Sequence, residues 1–305
     1  MVLSNHGIGV IDPEWGHPVK MIQNPLSMMH NQRIQINDLV DTFHFDTFDN
    51  DNRGILFDEV RRVYMNNQEL VKSFEGIKKL LGGKKLDLIG MDACYMQMVE
   101  VADLLSPFGE YFVASQDVEL ARGWEYTGIM KSLCKKPEST GKELAQYIVN
   151  SYDALYRGKT NLFTQSALHL GSVNLVKNRT HELADALLKL YKKNRYETKD
   201  LVRQARNRCQ QFSMQTYIDL QSFCQELQKL IQPTKQEFKP LNSAINNAIS
   251  AINQCVMANT SSTYFGRAHG MSIYFPLYRI DKSYLETPFA RHSSWLELLC
   301  KSLLV

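Results

Sequence analysis

The chain has 305 residues, 44% of them apolar and 22% charged, with a net charge of +3. That length and balance provide for a substantial buried core and exclude a disordered chain. The charge is small and Lys and Arg are scattered, which excludes a nucleic-acid stripe and a membrane-surface patch.

In chain order, Met1 to Ser4 reads as the tail of an apolar strand, followed by Asn5-His6-Gly7-Ile8-Gly9. The glycines around Ile8 permit a tight turn and place His6 at the carboxyl end of that strand. Taken alone, such a histidine is more often a turn residue. No charged segment followed by an apolar stretch marks a signal peptide, and no apolar run reaches the roughly 18 residues of a membrane span.

Residues 10–45 carry Asp12-Pro13, His17-Pro18 and Asn24-Pro25 and read as a long surface insertion. Asp49 to Gly54 resembles the opening of a calcium loop, but Arg53 stands at its fifth place and Val60 at its twelfth, where a bidentate Glu is required. The plainer reading is a turn that leads through Leu56 into a helix over 58–66.

The most informative stretch is 84–116. An apolar run from Leu86 to Met91 predicts a buried strand, and Asp92-Ala93-Cys94 closes it. Met98, Val101, Ala102 and Leu105 follow at helical spacing, with Gln97, Glu100 and Asp103 elsewhere on the circumference. Pro107 and Gly109 break that helix, and 111–114 predicts a second strand parallel to the first. Cys94 is thereby expected at the carboxyl end of a strand and the amino end of a helix, where ligand crevices open and unsatisfied N–H groups favour a thiolate. The competing reading is an inert core cysteine, since free Cys is among the most buried residue types. A histidine can take a thiol proton and return it to a leaving amine, so His6 and Cys94 on neighbouring strand ends form a minimal acyl-transfer pair.

Beyond Pro137 the pattern is mostly helical, with helices expected over 141–156, 183–191 and 241–252, and one or two within 203–230. A short strand is expected within 160–170, another over 270–276, and a closing helix over 289–304. Six cysteines, at 94, 134, 209, 224, 255 and 300, are far apart with no C-x-x-C, which argues against a zinc site and a dense disulfide framework. H-E-x-x-H is absent, and neither a catalytic metal nor a cofactor is expected.

Taken together, four segments resemble the clostripain family of cysteine peptidases, in the larger group of caspases, legumains and gingipains. They are His6-Gly7, Asp92-Ala93-Cys94, Val113-Ala114-Ser115 with Gly123-Trp124-Glu125-Tyr126, and Gly270 to Pro276. The similarity runs over nearly the whole chain. It implies a three-layer α/β/α caspase-like fold with a mostly parallel central sheet and a largely helical C-terminal part. One domain over 1–305 is expected: the catalytic sheet in 1–136, the helical part in 137–260, and the closing strand and helix in 261–305. Family members usually have strands ahead of the one bearing the histidine and are often secreted. The chain is therefore expected to be N-terminally shortened, and its compartment stays open.

By the same resemblance the protein is a cysteine endopeptidase cutting after Arg or Lys in protein or peptide substrates, without nucleic-acid or membrane partners. Cys94 is the expected nucleophile, His6 its acid and base, and the Gly7 N–H a donor to the oxyanion. Asp92, Ser115 and Arg122 are the expected substrate contacts. Asp92 has two open roles, a pocket for a basic side chain or a cap on the helix expected from Ala93. Arg122 stands where the family commonly has a second acid, and an outward-pointing side chain would preserve basic specificity. Two other functions share this pattern: a pseudo-peptidase that binds segments without cutting, and a Cys-dependent amidase or transpeptidase. His269-Gly270 is a rival to His6-Gly7, disfavoured because it precedes its strand. Self-cleavage between His6 and Cys94 is expected at Arg53, Arg61, Arg62, Lys84 or Lys85.

Overall fold

A computed structural model describes residues 1–11, 55–58, 63–232, 234–278, 280–291 and 293–303. Most of the expected insertion, the calcium-like loop and Arg53, Arg61 and Arg62 lie outside the described residues. Val10 and Ile11, the described start of that insertion, are buried in the core.

The central sheet grows from the alternation of apolar side chains along β4, Leu86–Asp92, and β5, Gly109–Ala114. Ile89, Met91, Phe112 and Ala114 face one layer of helices, while Leu88 and Val113 face the other. Among the described residues the sheet has five strands in the order β1-β4-β5-β6-β8, with β1 at Val2–Ser4, β6 at Thr164–His169 and β8 at Val256–Ser261. Strands β1, β4 and β5 are mutually parallel, β6 runs against β5, and β8 runs against β6. Four of the five strands therefore share one direction.

One face is covered by α3, Tyr126–Lys135, and α4, Gly141–Tyr156, around Trp124, Ile148 and Tyr152. The opposite face carries α1 (Asn67–Leu80), α2 (Val99–Leu105), α5 (Val173–Lys193), α6 (Arg195–Arg208), α7 (Leu220–Leu230) and α8 (Lys239–Cys255). These are the three layers expected. Helix starts follow local chemistry: Asn66 with Glu69, and Thr140 with Glu143, form capping boxes on α1 and α4.

Several elements differ from the sequence reading. Where a helix was expected over 58–66, the chain forms β2, Ile55–Asp58, antiparallel to β3, Val63–Met65, and the Asn66 cap delays the helix to Asn67. Within 203–230 a strand, β7 at Tyr217–Asp219, separates α6 from α7. The strand expected over 270–276 is β9, Ser272–Tyr274, which pairs antiparallel with β7 outside the five-stranded sheet. The closing helix is split into Pro288–Arg291 (α10) and Ser294–Leu303 (α11), and a short α9 spans Lys282–Leu285.

Candidate active site

Cys94 follows directly on the carboxyl end of β4, but α2 starts only at Val99. A tight turn replaces the expected helix start, because Tyr95 takes a left-handed φ of 61° that no helix accommodates. The turn is held instead by the segment after β5. Tyr95 N donates to Asp117 O at 3.0 Å, and Gln97 N donates to Ser115 O at 2.9 Å. Glu119 N donates to Cys94 Sγ at 3.2 Å. Among the described residues no helix N-terminus therefore acts on the sulfur. Burial pushes the thiol up to about 12, against the Glu119 N–H that favours the thiolate, while the Glu119 and Asp117 carboxylates add to the rise. In this geometry Cys94 rests as a thiol.

The parallel register pairs Ser4 with Asp92, and Asn5 N still reaches Asp92 O at 3.4 Å. Two residues further along both strands come His6 and Cys94. The approach of the two backbones is close: a Cβ on Gly7 would stand 2.5 Å from the Cys94 carbonyl oxygen and 3.1 Å from Ala93 Cβ. Only glycine fits there. His6 and Gly7 are each half-buried, so both keep access to the rim.

Asp92 does not cap a helix. Its Oδ2 accepts from Trp124 N at 3.2 Å and from Tyr126 Oη at 2.6 Å, and Gly123, at φ 63°, lets the loop close over it, since a Cβ there would meet Oδ2 at 2.5 Å. Burial raises the Asp92 pKa, and the two hydrogen bonds oppose the rise. Arg122 beside it is exposed. Ser115 has no exposed surface: its Oγ lies 2.8 Å from Thr164 Oγ1 and accepts from Asp117 N at 3.3 Å. It thus braces the loop under Cys94, where the sequence reading expected a substrate contact. The cause is Thr164 of β6, whose hydroxyl also accepts from Gln116 N and Asp117 N.

His269, the rival histidine, is engaged elsewhere. Its Nδ1 lies 3.2 Å from Asp219 Oδ1, its backbone N donates to Asp219 Oδ2 at 2.7 Å, and Nε2 lies 3.2 Å from Gln225 Nε2. Burial alone would lower its pKa, but the Asp219 hydrogen bond and charge raise it. Glu119 and Asp117 were not singled out from the sequence. The signal was legible in Ser115-Gln116-Asp117-Val118-Glu119, a polar run directly after a buried strand, at the end where parallel sheets build their sites.

A sheet flanked by helices on both faces, with a cysteine at the carboxyl end of a central strand, defines an α/β/α protein with a thiol on the rim of its sheet. The family model of the clostripain family matches residues 32–299. The chain belongs to that family of cysteine peptidases, and it is a hydrolase. The match starts after His6, whose assignment stands on geometry and motif. No curated protein sequence gives a significant match.

Solved structures share the fold at low identity. A B. fragilis cysteine protease is 17% identical, covering 79% of this chain and 98% of that one, with a TM-score of 0.51. A clostripain from Bacteroides thetaiotaomicron ATCC 29148, in complex with the peptide inhibitor BTN-VLTK-AOMK, is 16% identical over 78% of this chain and 98% of its own, with a TM-score of 0.54. A secreted C11 cysteine protease of Bacteroides thetaiotaomicron, iotapain, is 14% identical over 95% of this chain and 70% of its own, with a TM-score of 0.55. Among the described residues no helix is long and apolar enough to cross a membrane.

Proposed function

We propose that the protein is an endopeptidase that cleaves after Arg or Lys with a dyad of Cys94 and His6. The observation that supports this reading is the meeting of the two segments beyond β1 and β4, where the Gly7 backbone packs on the Cys94 carbonyl. With the thiol pushed up to about 12, a free thiolate is rare at neutral pH, so proton transfer to His6 accompanies attack on the substrate carbonyl. A carbon–sulfur bond forms as the carbonyl π electrons move to oxygen, and the Gly7 N–H donates to that oxyanion. His6 then gives its proton to the leaving amine. Water attacks the thioester, returning a proton through His6 to Cys94 as the acid product leaves.

Asp92 supports the basic preference. Both hydrogen bonds to its carboxyl end on Oδ2, so Oδ1 is the oxygen available to an incoming guanidinium or ammonium. The charge of such a cation opposes the rise that burial causes in the Asp92 pKa. The test pairs a fluorogenic peptide library with a mass-tagged arginine chloromethyl ketone. Basic residues before the cut bond and a single label on Cys94 are expected. A library preference for Asp or Glu, or label on another cysteine, overturns the reading.

A further inference from the structure

The strained turn that carries Cys94 does not hold itself. Tyr95 sits at φ 61°, a conformation that costs a side-chain-bearing residue energy and persists only when its surroundings impose it. What imposes it is the segment 115–119, which receives the Tyr95 and Gln97 N–H groups and donates its Glu119 N–H to the sulfur. That segment is itself fixed from several sides.

Thr164 of β6 anchors its backbone and the Ser115 hydroxyl, and Ser213 grips the Asp117 carboxyl through N and Oγ at 2.9 and 3.0 Å. The remaining hold is the Gln116 side chain. Its Nε2 donates to Asp219 Oδ2 at 3.0 Å, and its Oε1 accepts from Gly270 N at 2.9 Å. Asp219 is completely buried at the junction of β7 and α7, where Ser222 N also donates to Oδ1 at 2.7 Å. Among the described residues the one basic side chain hydrogen-bonded to it is His269, half-buried and open to solvent on one side. A buried carboxylate keeps its place and its charge only with such partners.

We propose that His269 is a positioning residue for Cys94, acting through Asp219 and Gln116 on the 115–119 segment. His269 holds the Asp219 carboxylate in register from both its ring and its backbone N–H. Asp219 orients the Gln116 amide, and Gln116 fixes the backbone that keeps Tyr95 strained and the Cys94 sulfur on the Glu119 N–H. Loss of the ring lets this chain of contacts relax. The turn then opens toward solvent, so the thiol becomes easier to ionise while the geometry for attack is lost. Chemical reactivity at Cys94 and catalysis are therefore expected to move in opposite directions, while the buried Cys255, which a general loss of stability would also expose, keeps its wild-type alkylation rate.

The inference rests on Cys94 being the nucleophile, so its first test needs no substrate. Carbamidomethylation of Cys94 by iodoacetamide is followed by mass spectrometry in the intact chain, with the exposed Cys134 as internal reference. His269→Ala is expected to raise the Cys94/Cys134 rate ratio about threefold or more, as the thiol becomes better solvated. On a peptide substrate the same variant is expected to lower kcat about tenfold with KM within about twofold, as a small misplacement of a nucleophile does. His269→Asn, whose Nδ2 can replace the ring donor to Asp219, is expected to recover most of both changes. Gln116→Met, which removes the middle link without touching the histidine, is expected to behave like His269→Ala. An unchanged alkylation ratio in both His269→Ala and Gln116→Met overturns the proposal, as does His269→Asn behaving no better than His269→Ala. If the wild type cleaves no peptide, the dyad reading falls, and the alkylation ratio alone decides the role of His269.

Discussion

The two strand ends that meet at the rim are built in different ways. Cys94 follows β4, which has a strand on either side, and its turn is tied by three hydrogen bonds to a segment that is itself pinned at several points. His6 follows β1, a strand of three residues at the edge of the sheet among the described residues, paired only with β4. Beyond it the chain dives into the core at Ile8, Val10 and Ile11, where the Tyr217 hydroxyl donates to Ile8 O and Asn67 Nδ2 donates to Val10 O at 2.6 Å. Cys94 is thus set by the centre of the sheet. The histidine is strung between an edge strand and a buried anchor, and the contact of its neighbour Gly7 with the Cys94 carbonyl ties the two ends together.

The largest effect is expected from removing either member of the pair. Cys94→Ala and His6→Ala should each lower kcat by about 10³-fold or more, and the double variant should be little worse than either alone, because groups that act as a unit are not additive. Initial rates on a basic-residue substrate measure this. Drops that multiply would break the dyad and place some other base beside Cys94.

The next effect probes the contact between the two ends. In Gly7→Ala the added methyl meets the Cys94 carbonyl at 2.5 Å, and since both partners are backbone, something must shift. A destabilisation of about 1–3 kcal/mol is expected from that overpacking, together with a loss of about 10²-fold in kcat/KM from misplacing the reacting groups. Thermal unfolding and steady-state rates check the two halves separately. A stable variant with full activity would mean that the strand ends are further apart during catalysis than in this structure.

What the sequence showed of this arrangement follows from where the information is local. The β4 and β5 strands and the cysteine at the strand end were legible because an apolar run of four to seven residues bounded by Gly, Pro and Asp carries its own signature. The helix start at Val99 was not legible. Met98, Val101 and Leu105 keep a helical period through the turn, while the left-handed Tyr95 that delays the helix is imposed by the distant residues 115–117. Gln97 and Glu100 were read as a polar face for the same reason, yet both are fully buried, Gln97 donating to Ser166 and Glu100 accepting from Tyr274 N. Strand β7 was hidden because Tyr217-Ile218-Asp219 has no period of its own and forms against β9, more than 50 residues away. Pairings of that kind lie beyond any local window.

Glu100 supplies a smaller test of the firmly held side. It is completely buried, takes the Tyr274 N–H at 2.9 Å and the Tyr284 hydroxyl at 3.4 Å, and leaves Oε2 without a partner. Burial pushes its pKa up to about 8, against the Tyr274 and Tyr284 bonds. The folded state therefore holds this proton more tightly than the unfolded chain, whose carboxyl titrates near 4.3. The stabilising contribution is complete below that unfolded value and is lost as pH rises through about 8, with a total on the order of 5 kcal/mol. Glu100→Gln cannot ionise, so its stability should vary less between pH 5 and 8 and should exceed that of the wild type at the upper end. Denaturant midpoints across that range decide it; equal slopes for the two proteins would show that Glu100 stays charged within the fold.

The smallest effect is expected at Arg122, on the loop that covers Asp92. The side chain is exposed, and Gly123 at φ 63° turns the chain so that Asp92 is met by the loop's backbone and by Tyr126. An arginine in that position keeps its guanidinium in water, where screening limits its influence on a partly buried carboxylate. Arg122→Ala should therefore leave stability within about 0.5 kcal/mol, as exposed substitutions do. It should raise kcat/KM for an arginyl substrate only a few-fold, by removing a weak repulsion worth up to about 1 kcal/mol. Arg122→Asp should gain somewhat more, since a second carboxylate attracts where the first one only ceases to be opposed, and the gain should shrink as salt is added. Profiling the three proteins on matched Arg, Lys and Glu substrates at low and high ionic strength separates the cases. A switch from acidic to basic preference on Arg122→Asp, as large at high salt as at low, would mean that the guanidinium folds into the pocket and occupies Asp92 when substrate arrives.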